Sequence, residues 1–308
     1  MDGIIQFPAD QFRPGAEGAF NLPPELYHDY QAAPGISRSL VVEMLKFTEA
    51  HAYSVIEGRF SKKETGAMQS GSVFDTMLLE PDRFGAGMSH WVVPAGMNLT
   101  TVDGRAWKKD HPKDGPNGLP YIWAESDAPD KASLVDMEGM MVSLLKHRMI
   151  RRLIETSIKQ ESAFALDPRT GLMRKVRPDM RASDNSSRLI LVDLKSTFRG
   201  GINEHEWVQH CGRMYYDIQD SMTRTYRDLW EEPFFLFAAV ERKPPYAARL
   251  FQLDVDSKKF ARAQYQRTLD RFRRCQDSGV WPSYDEGITI IGVPGWRRRI
   301  EEPDEVDL

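Results

Sequence analysis

Two aspartates and a lysine near the middle of the chain are the residues best suited to chemistry. Asp193 and Lys195 stand two apart in Arg188-Leu-Ile-Leu-Val-Asp-Leu-Lys195, and Asp179 closes Arg177-Pro-Asp179 upstream. Carboxylates brought close together repel unless a cation lies between them. Mg²⁺ is the natural candidate, with Mn²⁺ as a substitute, because it takes oxygen ligands and is commonly held by one or two carboxylates plus water and phosphate. A lysine cannot ligate such a metal. It can position or deprotonate an attacking water and offset phosphate charge. The combination is one for phosphodiester hydrolysis. Asp-x-Lys by itself is also what a solvated strand face looks like. The upstream Arg-Pro-Asp and the apolar run Leu189–Val192 favour the functional reading.

The elements that must position these residues are three short strands separated by turns. Glu161–Leu166 leads into the turn Asp167-Pro-Arg-Thr-Gly171, Leu172–Asp179 rises again, and Asp184-Asn-Ser-Ser187 turns the chain into Arg188–Lys195. Each boundary carries the Gly, Pro, Asn, Asp and Ser residues that turns need. Successive strand residues face opposite sides, so Asp193 and Lys195 share a face while Val192 and Leu194 take the other. If residues 184–187 close a hairpin, Asp179 falls nearly opposite Asp193, at a cross-strand Cβ spacing of about 4.5–5.5 Å.

The order Glu161, Arg177-Pro-Asp179, Asp193-Leu-Lys195 resembles the PD-(D/E)XK nuclease superfamily. It is most similar to the exonuclease VIII (RecE-type) branch of phages and prophages. Tyr27-His28 with Pro34-Gly-Ile-Ser-Arg-Ser39, Gly71-Ser-Val-Phe-Asp-Thr-Met-Leu-Leu-Glu-Pro81, the segment around Gln219-Asp220 and Trp281-Pro282 extend the likeness over residues 24 to 296. The resemblance implies an α/β fold, a PD-(D/E)XK nuclease core with a mixed central sheet flanked by helices and an N-terminal helical lobe. It implies a Mg²⁺-dependent exonuclease degrading one strand of double-stranded DNA from a 5′ end. It also implies a ring-shaped homo-oligomer and a single-strand annealing protein as recombination partner. By the same likeness Asp179 and Asp193 hold metal, Glu161 supports it, Lys195 acts on water, and Gln219 faces the catalytic strands and the DNA end. Where that branch carries a metal-ligand histidine this chain has Asp75, which is either an oxygen ligand acceptable to Mg²⁺ or a residue displaced from the metal that leaves the site weakened. Where it often carries a tyrosine after the glutamine this chain has Thr223, with Tyr216 or Tyr226 available as replacements.

With 308 residues, 41% of them hydrophobic, the chain is long enough for one large core. We divide it into an irregular segment 1–23, a nuclease domain 24–296 (helical lobe and loop 24–155, catalytic core 156–296) and a charged tail 297–308. No apolar run approaches the ~18 residues of a membrane-spanning helix, and no signal peptide opens the chain. Cys211 and Cys275 form neither a metal pattern nor a disulfide framework, and the lack of four cysteines argues against an iron–sulfur nuclease. These features suggest a cytoplasmic setting. The net charge of −4 is no help to DNA binding, which needs local positive charge.

Several segments carry a DNA-binding reading beside a plainer one. Ser37, Arg38 and Ser39 open a helix over residues 38–59, where they either hold a phosphate or form an ordinary N-cap with an exposed arginine. In the long polar stretch 94–128, Arg105, Trp107, Lys108 and Lys109 offer charge and base stacking, or a solvated helix start with Trp107 packed on the core. Residues 131–154 read as one amphipathic helix and 203–230 as another, the latter carrying Tyr216 and Gln219. Phe234–Val240 is fit for a central strand buried on both faces. The arginine-rich helix 257–277 reads as a solvated face.

Overall fold

The computed structural model describes residues 6–7, 16–20, 22, 33–60, 66–85, 91–111, 121–125, 133–229 and 232–294. Tyr27-His28, the linker 61–65 and the charged tail lie outside them, as do most of the first 23 residues. In chain order the strands are β1 (Gln6–Phe7), β2 (Gly18–Phe20), β3 (Val92–Val93), β4 (Ile122–Trp123), β5 (Ile158–Lys159), β6 (Ser162–Leu166), β7 (Met173–Val176), β8 (Met180–Ser183), β9 (Leu189–Thr197), β10 (Phe234–Glu241) and β11 (Ala248–Phe251). The helices are α1 (Arg38–Lys46), α2 (Glu49–Ile56), α3 (Gly66–Leu79), α4 (Pro81–Gly85), α5 (Val102–Asp110), α6 (Leu134–Lys146), α7 (Arg148–Thr156), α8 (Glu204–Met214), α9 (Tyr216–Met222), α10 (Arg224–Leu229) and α11 (Val255–Ser278).

The expected mixed sheet flanked by helices is present. Its order is β11-β10-β9-β8-β5, with β9 and β10 parallel and every other neighbour antiparallel. Parallel neighbours need a crossover, supplied here by α8, α9 and α10. The central strands β9 and β10 carry apolar residues on both faces because each face is covered. Val192, Leu194, Ala238 and Val240 meet the apolar sides of α3, α6 and α7 on one side. Leu191, Phe235, Phe237 and Ala239 meet Trp207, Tyr216 and Tyr226 on the other. A smaller sheet, β1-β2-β6-β7, stands beside the main one.

Four expected elements are divided in the structure. The strand expected over Leu172–Asp179 splits at Arg177-Pro-Asp179: β7 pairs with β6 in the small sheet, and β8 pairs with β9 in the large one. Pro178 has no N–H to give a ladder, so the break falls where the chain changes sheets. The helix expected over 203–230 breaks at Tyr215, which adopts a left-handed conformation (φ 54°) and donates its N–H to the carbonyls of Cys211 and Gly212. The helix over 38–59 breaks at Phe47–Thr48, where Thr48 Oγ1 and His51 Nδ1 are 2.8 Å apart. The helix over 131–154 breaks at His147, whose ring accepts the N–H of Ile150. At His147 side-chain capping competes with helix continuation.

Candidate active site

The antiparallel register of β8 on β9 pairs Met180 with Val192, which sets Asp179 one step beyond, opposite Asp193. Asp179 does more than follow the register. Its Oδ2 accepts the Leu194 N–H at 2.6 Å, so the side chain extends the ladder past the proline break. Asp193 forms an ion pair with Lys195, its neighbour on the same strand face, and accepts a hydrogen bond from Gln219 Nε2. The turn at Tyr215 is what aims Gln219 here, because a straight helix would carry it elsewhere around the axis. Asp75, on α3, completes the group electrostatically.

Charges report on one another in this cluster. Burial, then Asp193, pushes the Asp75 carboxyl up to about 7, with Lys195 opposing. Asp179 is raised well above its ordinary value by burial, by Asp193 and by Asp75, against Lys195 and the Leu194 N–H. Burial tends to lower Lys195, but Asp193, Tyr216 and Asp179 outweigh it, so the ammonium is held protonated. Three carboxylates share one lysine, and the imbalance is carried as raised pKa values.

The donor set suits a hard divalent cation of a particular kind. Among the described residues no three His, Cys, Asp or Glu side chains close around a single point. Among the described residues there is thus no all-protein cage. Two facing carboxylates with a third nearby do fit a cation that keeps several waters and takes substrate oxygens.

A cavity of about 290 Å³ lies beside the cluster, lined by Ser37, Arg38, Lys175, Arg177, Gln219 and Thr223 among others. Gln219 Oε1 is buried there and accepts no hydrogen bond among the described residues. The Lys175 ammonium donates to the Ala33 carbonyl at 2.8 Å, and burial lowers its pKa. Arg177 reaches Ser162 Oγ and Gln160 Oε1 at 3.2 Å each. Three cationic side chains thus meet a small void next to the carboxylates.

Other site expectations change in the structure. Glu161 is fully buried, and its carboxylate accepts Arg181 Nε at 2.5 Å, Arg181 NH2 at 3.0 Å and Tyr226 Oη at 3.2 Å. It forms a buried ion pair with Arg181, where the sequence leads one to expect a support of the metal. Arg38 begins α1, but its guanidinium donates to the carbonyls of Met214 and Tyr215, capping the end of α8, while still lining the cavity. Ser39 is exposed, and its Oγ lies 2.9 Å from that of Ser37. Tyr216 is buried, not open to a strand of DNA. Lys195 Nζ sits 4.9 Å and the Arg38 guanidinium 5.6 Å from its ring centre. Tyr226, bonded to Glu161, lines the same cavity as Gln219 and Thr223. Trp107 stacks on His111 at 4.1 Å and meets Tyr121 edge-on, so its ring is engaged locally. Arg105 donates to the Thr100 carbonyl, and Lys108 lines a separate cavity with Tyr121 and Trp123. Among the described residues, no partner of the carboxylate cluster comes from α5.

Sequence reasoning missed Arg181, Lys175 and Arg177 as site neighbours. Arg181 carried a signal, since it shares the strand face of Asp179 two residues on. Lys175 and Arg177 reach the cavity only because the strand divides between them and Asp179.

The family model described as "PDDEXK-like domain of unknown function (DUF3799)" matches residues 37–292. A crystal structure from Eubacterium rectale, described as a "Putative exonuclease", is similar in fold. Its TM-score is 0.55 at 14% identity, over 92% of this chain and 95% of that one. A second structure, SSO0001, covers 65% of this chain and 85% of its own at 10% identity, and its TM-score of 0.24 carries no argument. Among curated proteins, no sequence matches.

Proposed function

Because the chain belongs to the PDDEXK-like family DUF3799, and so to the PD-(D/E)XK nuclease superfamily, we propose that it is a metal-dependent deoxyribonuclease. Such nucleases generally use divalent metals. Our reading is finer: a Mg²⁺-dependent exonuclease, accepting Mn²⁺, that removes nucleotides from the 5′ end of one strand of linear duplex DNA during phage-type recombination. The exonuclease VIII-like order of motifs supports that polarity and setting, together with a single-strand annealing partner.

The observation that carries the proposal is the facing pair Asp179 and Asp193, with Lys195 on Asp193 and the Asp75 carboxyl raised to about 7 beside them. Asp179 and Asp193 would hold the cation and Asp75 would assist. The metal, when bound, supplies electrostatic stabilisation of the pentavalent phosphate. Lys195 would orient the attacking water once Asp193 held the cation. Gln219 keeps Asp193 in place through its amide N–H. Water adds to phosphorus and gives up a proton to solvent, the bond from phosphorus to the 3′ oxygen breaks, and the departing oxygen takes a proton from solvent. Arg38, Lys175 and Arg177 provide local positive charge for the anionic strand, which the overall charge of −4 does not.

A second reading is a DNA-end-binding relative that no longer cuts. It is favoured by Asp75 and Thr223, which stand where the exonuclease VIII-like pattern has a histidine and a tyrosine. Linear duplex DNA labelled at one 5′ or 3′ end, incubated with Mg²⁺ beside a covalently closed circle, separates the readings. Early loss of the 5′ label from linear DNA only is the expected result. Cutting of the circle would make the protein an endonuclease. Binding without any cutting in Mg²⁺ or Mn²⁺ would favour the second reading.

A further inference from the structure

We propose that the segment Gly287–Val293 of one copy of this chain docks as an additional strand on the β11 edge of a second copy. The first observation is the segment itself, Gly287-Ile-Thr-Ile-Ile-Gly-Val293. It is rich in β-branched residues, yet it forms neither helix nor strand in the structure. Ile288, Ile290 and Ile291 are 98%, 95% and 86% exposed. A β-prone apolar run left in water is a strand lacking its sheet. Both of its faces are apolar, with Ile288 and Ile290 on one and Ile291 on the other, which suits a place between two covered faces rather than on an open surface.

The second observation is the edge. Among the described residues β11 pairs with β10 alone. Glu241 N–H donates to the Ala247 carbonyl, so the pairs that exchange hydrogen bonds with β10 are those of Ala247, Arg249 and Phe251. Alternation then turns the N–H and C=O groups of Ala248 and Leu250 outward, ready to pair with another strand. Leu250 faces one apolar cluster and Phe251 the other, so both faces of an added strand would meet carbon.

The third observation is charge. A groove of about 810 Å³ runs between β11, α8 and the first turn of α11, floored by Trp207 stacked on Phe251 at 4.6 Å. Its wall includes Val208, which is 60% exposed. Glu204, Asp217, Asp254 and Asp256 line it against the single cation Arg249. Such a groove repels phosphate and suits a basic segment. Past Val293 the sequence runs Pro294-Gly-Trp-Arg-Arg-Arg299, which is basic.

Chain length points to a second copy over the groove of the same copy. The groove includes the start of α11, and the segment leaves from its other end, where Pro282 accepts a hydrogen bond from Ala50. The 24 residues of α11 separate these ends by about 36 Å. Residues 283–293 reach at most about 36–40 Å when fully extended, which leaves none to form a ladder. The contact is thus between different surfaces of two copies, head to tail.

The test uses the full chain in sedimentation velocity, with Ile288→Lys/Ile290→Lys as a tail variant and Val208→Arg as a groove variant. All three positions are exposed, and circular dichroism checks that each variant is folded. The expected result is a wild-type assembly larger than a monomer that dissociates on dilution. Each variant alone is monomeric, and an equal mixture forms a one-to-one dimer and nothing larger, since only one competent tail and one competent groove remain. A wild-type chain that stays monomeric, a tail variant that assembles like wild type, or a mixture that stays monomeric would each overturn the proposal. None of these readouts uses DNA cleavage, so they stand or fall apart from the nuclease reading.

Discussion

Two clusters of buried charge lie on the same face of β8, two residues apart, and they are built in opposite ways. Glu161, Arg181 and Tyr226 form a balanced group, in which one carboxylate meets one guanidinium through two hydrogen bonds and a phenol caps it. Asp179, Asp193, Asp75 and Lys195 form an unbalanced one, in which three carboxylates share a single ammonium and two of them are forced toward protonation. The balanced cluster pairs its charges within the protein. The unbalanced one holds a free-energy penalty that only a proton or a cation relieves. Burial alone does not separate structure from site, because Asp193 is as buried as Arg181. What separates them is whether the charges cancel.

That contrast can be broken by substitution. Lys195→Met is expected to lower cleavage by about 10²–10⁴-fold while leaving the protein folded, as for a group that handles the proton or water of the reaction. Single-turnover rates on linear duplex DNA, with divalent metal saturating, measure it. In the balanced cluster the effect moves to stability. Glu161→Gln leaves Arg181 buried without its counter-ion and is expected to cost about 3–5 kcal/mol, read from urea unfolding. Asp179→Asn keeps an acceptor for the Leu194 N–H and removes a repelling charge, so stability should hold or rise while cleavage is lost. If both substitutions destabilise alike, the distinction between the clusters fails.

The pH dependence sharpens the same point. Asp75 and Asp179 have folded-state pKa values above those of the unfolded chain, so the unfolded state binds fewer protons in the interval between. Their contribution is fully present below about 4 and declines as pH rises, for Asp75 through about 7. A divalent cation replaces the missing protons. Thermal unfolding with and without Mg²⁺ should therefore show a larger rise in Tm at pH 8 than at pH 5. Equal rises at both values would separate the metal from these carboxylates.

The smallest effect concerns Tyr216. Its ring face lies under Lys195 and Arg38, and its hydroxyl lies 3.3 Å from His210 Nε2. Tyr216→Phe keeps the ring and should change cleavage little. Tyr216→Leu removes the ring and should cost about 0.5–2 kcal/mol in orienting the two cations. Comparing the pH–rate profiles of the two variants distinguishes lost packing from a displaced Lys195.

Much of the unbalanced cluster was legible in the sequence because it depends on strand periodicity and one hairpin. Asp193 and Lys195 share a face by alternation, and Asp179 falls opposite Asp193 through the turn at residues 184–187. The balanced cluster was not legible. Glu161 stands just before β6 and Arg181 lies on β8 in the other sheet, and no local spacing encodes their meeting. The breaks at Pro178 and Tyr215 were equally hidden in consequence. A proline in a strand reads as an edge, whereas here it marks the passage from one sheet to another. Tyr215 is a residue with no preference for the left-handed region, held there by the packing of α9 and by Arg38 on the carbonyls behind it.

The most direct test is a calorimetric titration of Mn²⁺ into the wild-type chain and into Asp193→Asn, both at pH 8 and both shown to be folded. The expected result is binding to the wild-type chain that weakens by at least about tenfold in the variant, together with loss of cleavage. Equal binding to the two proteins would contradict the assignment of Asp193 and its neighbours as the metal site.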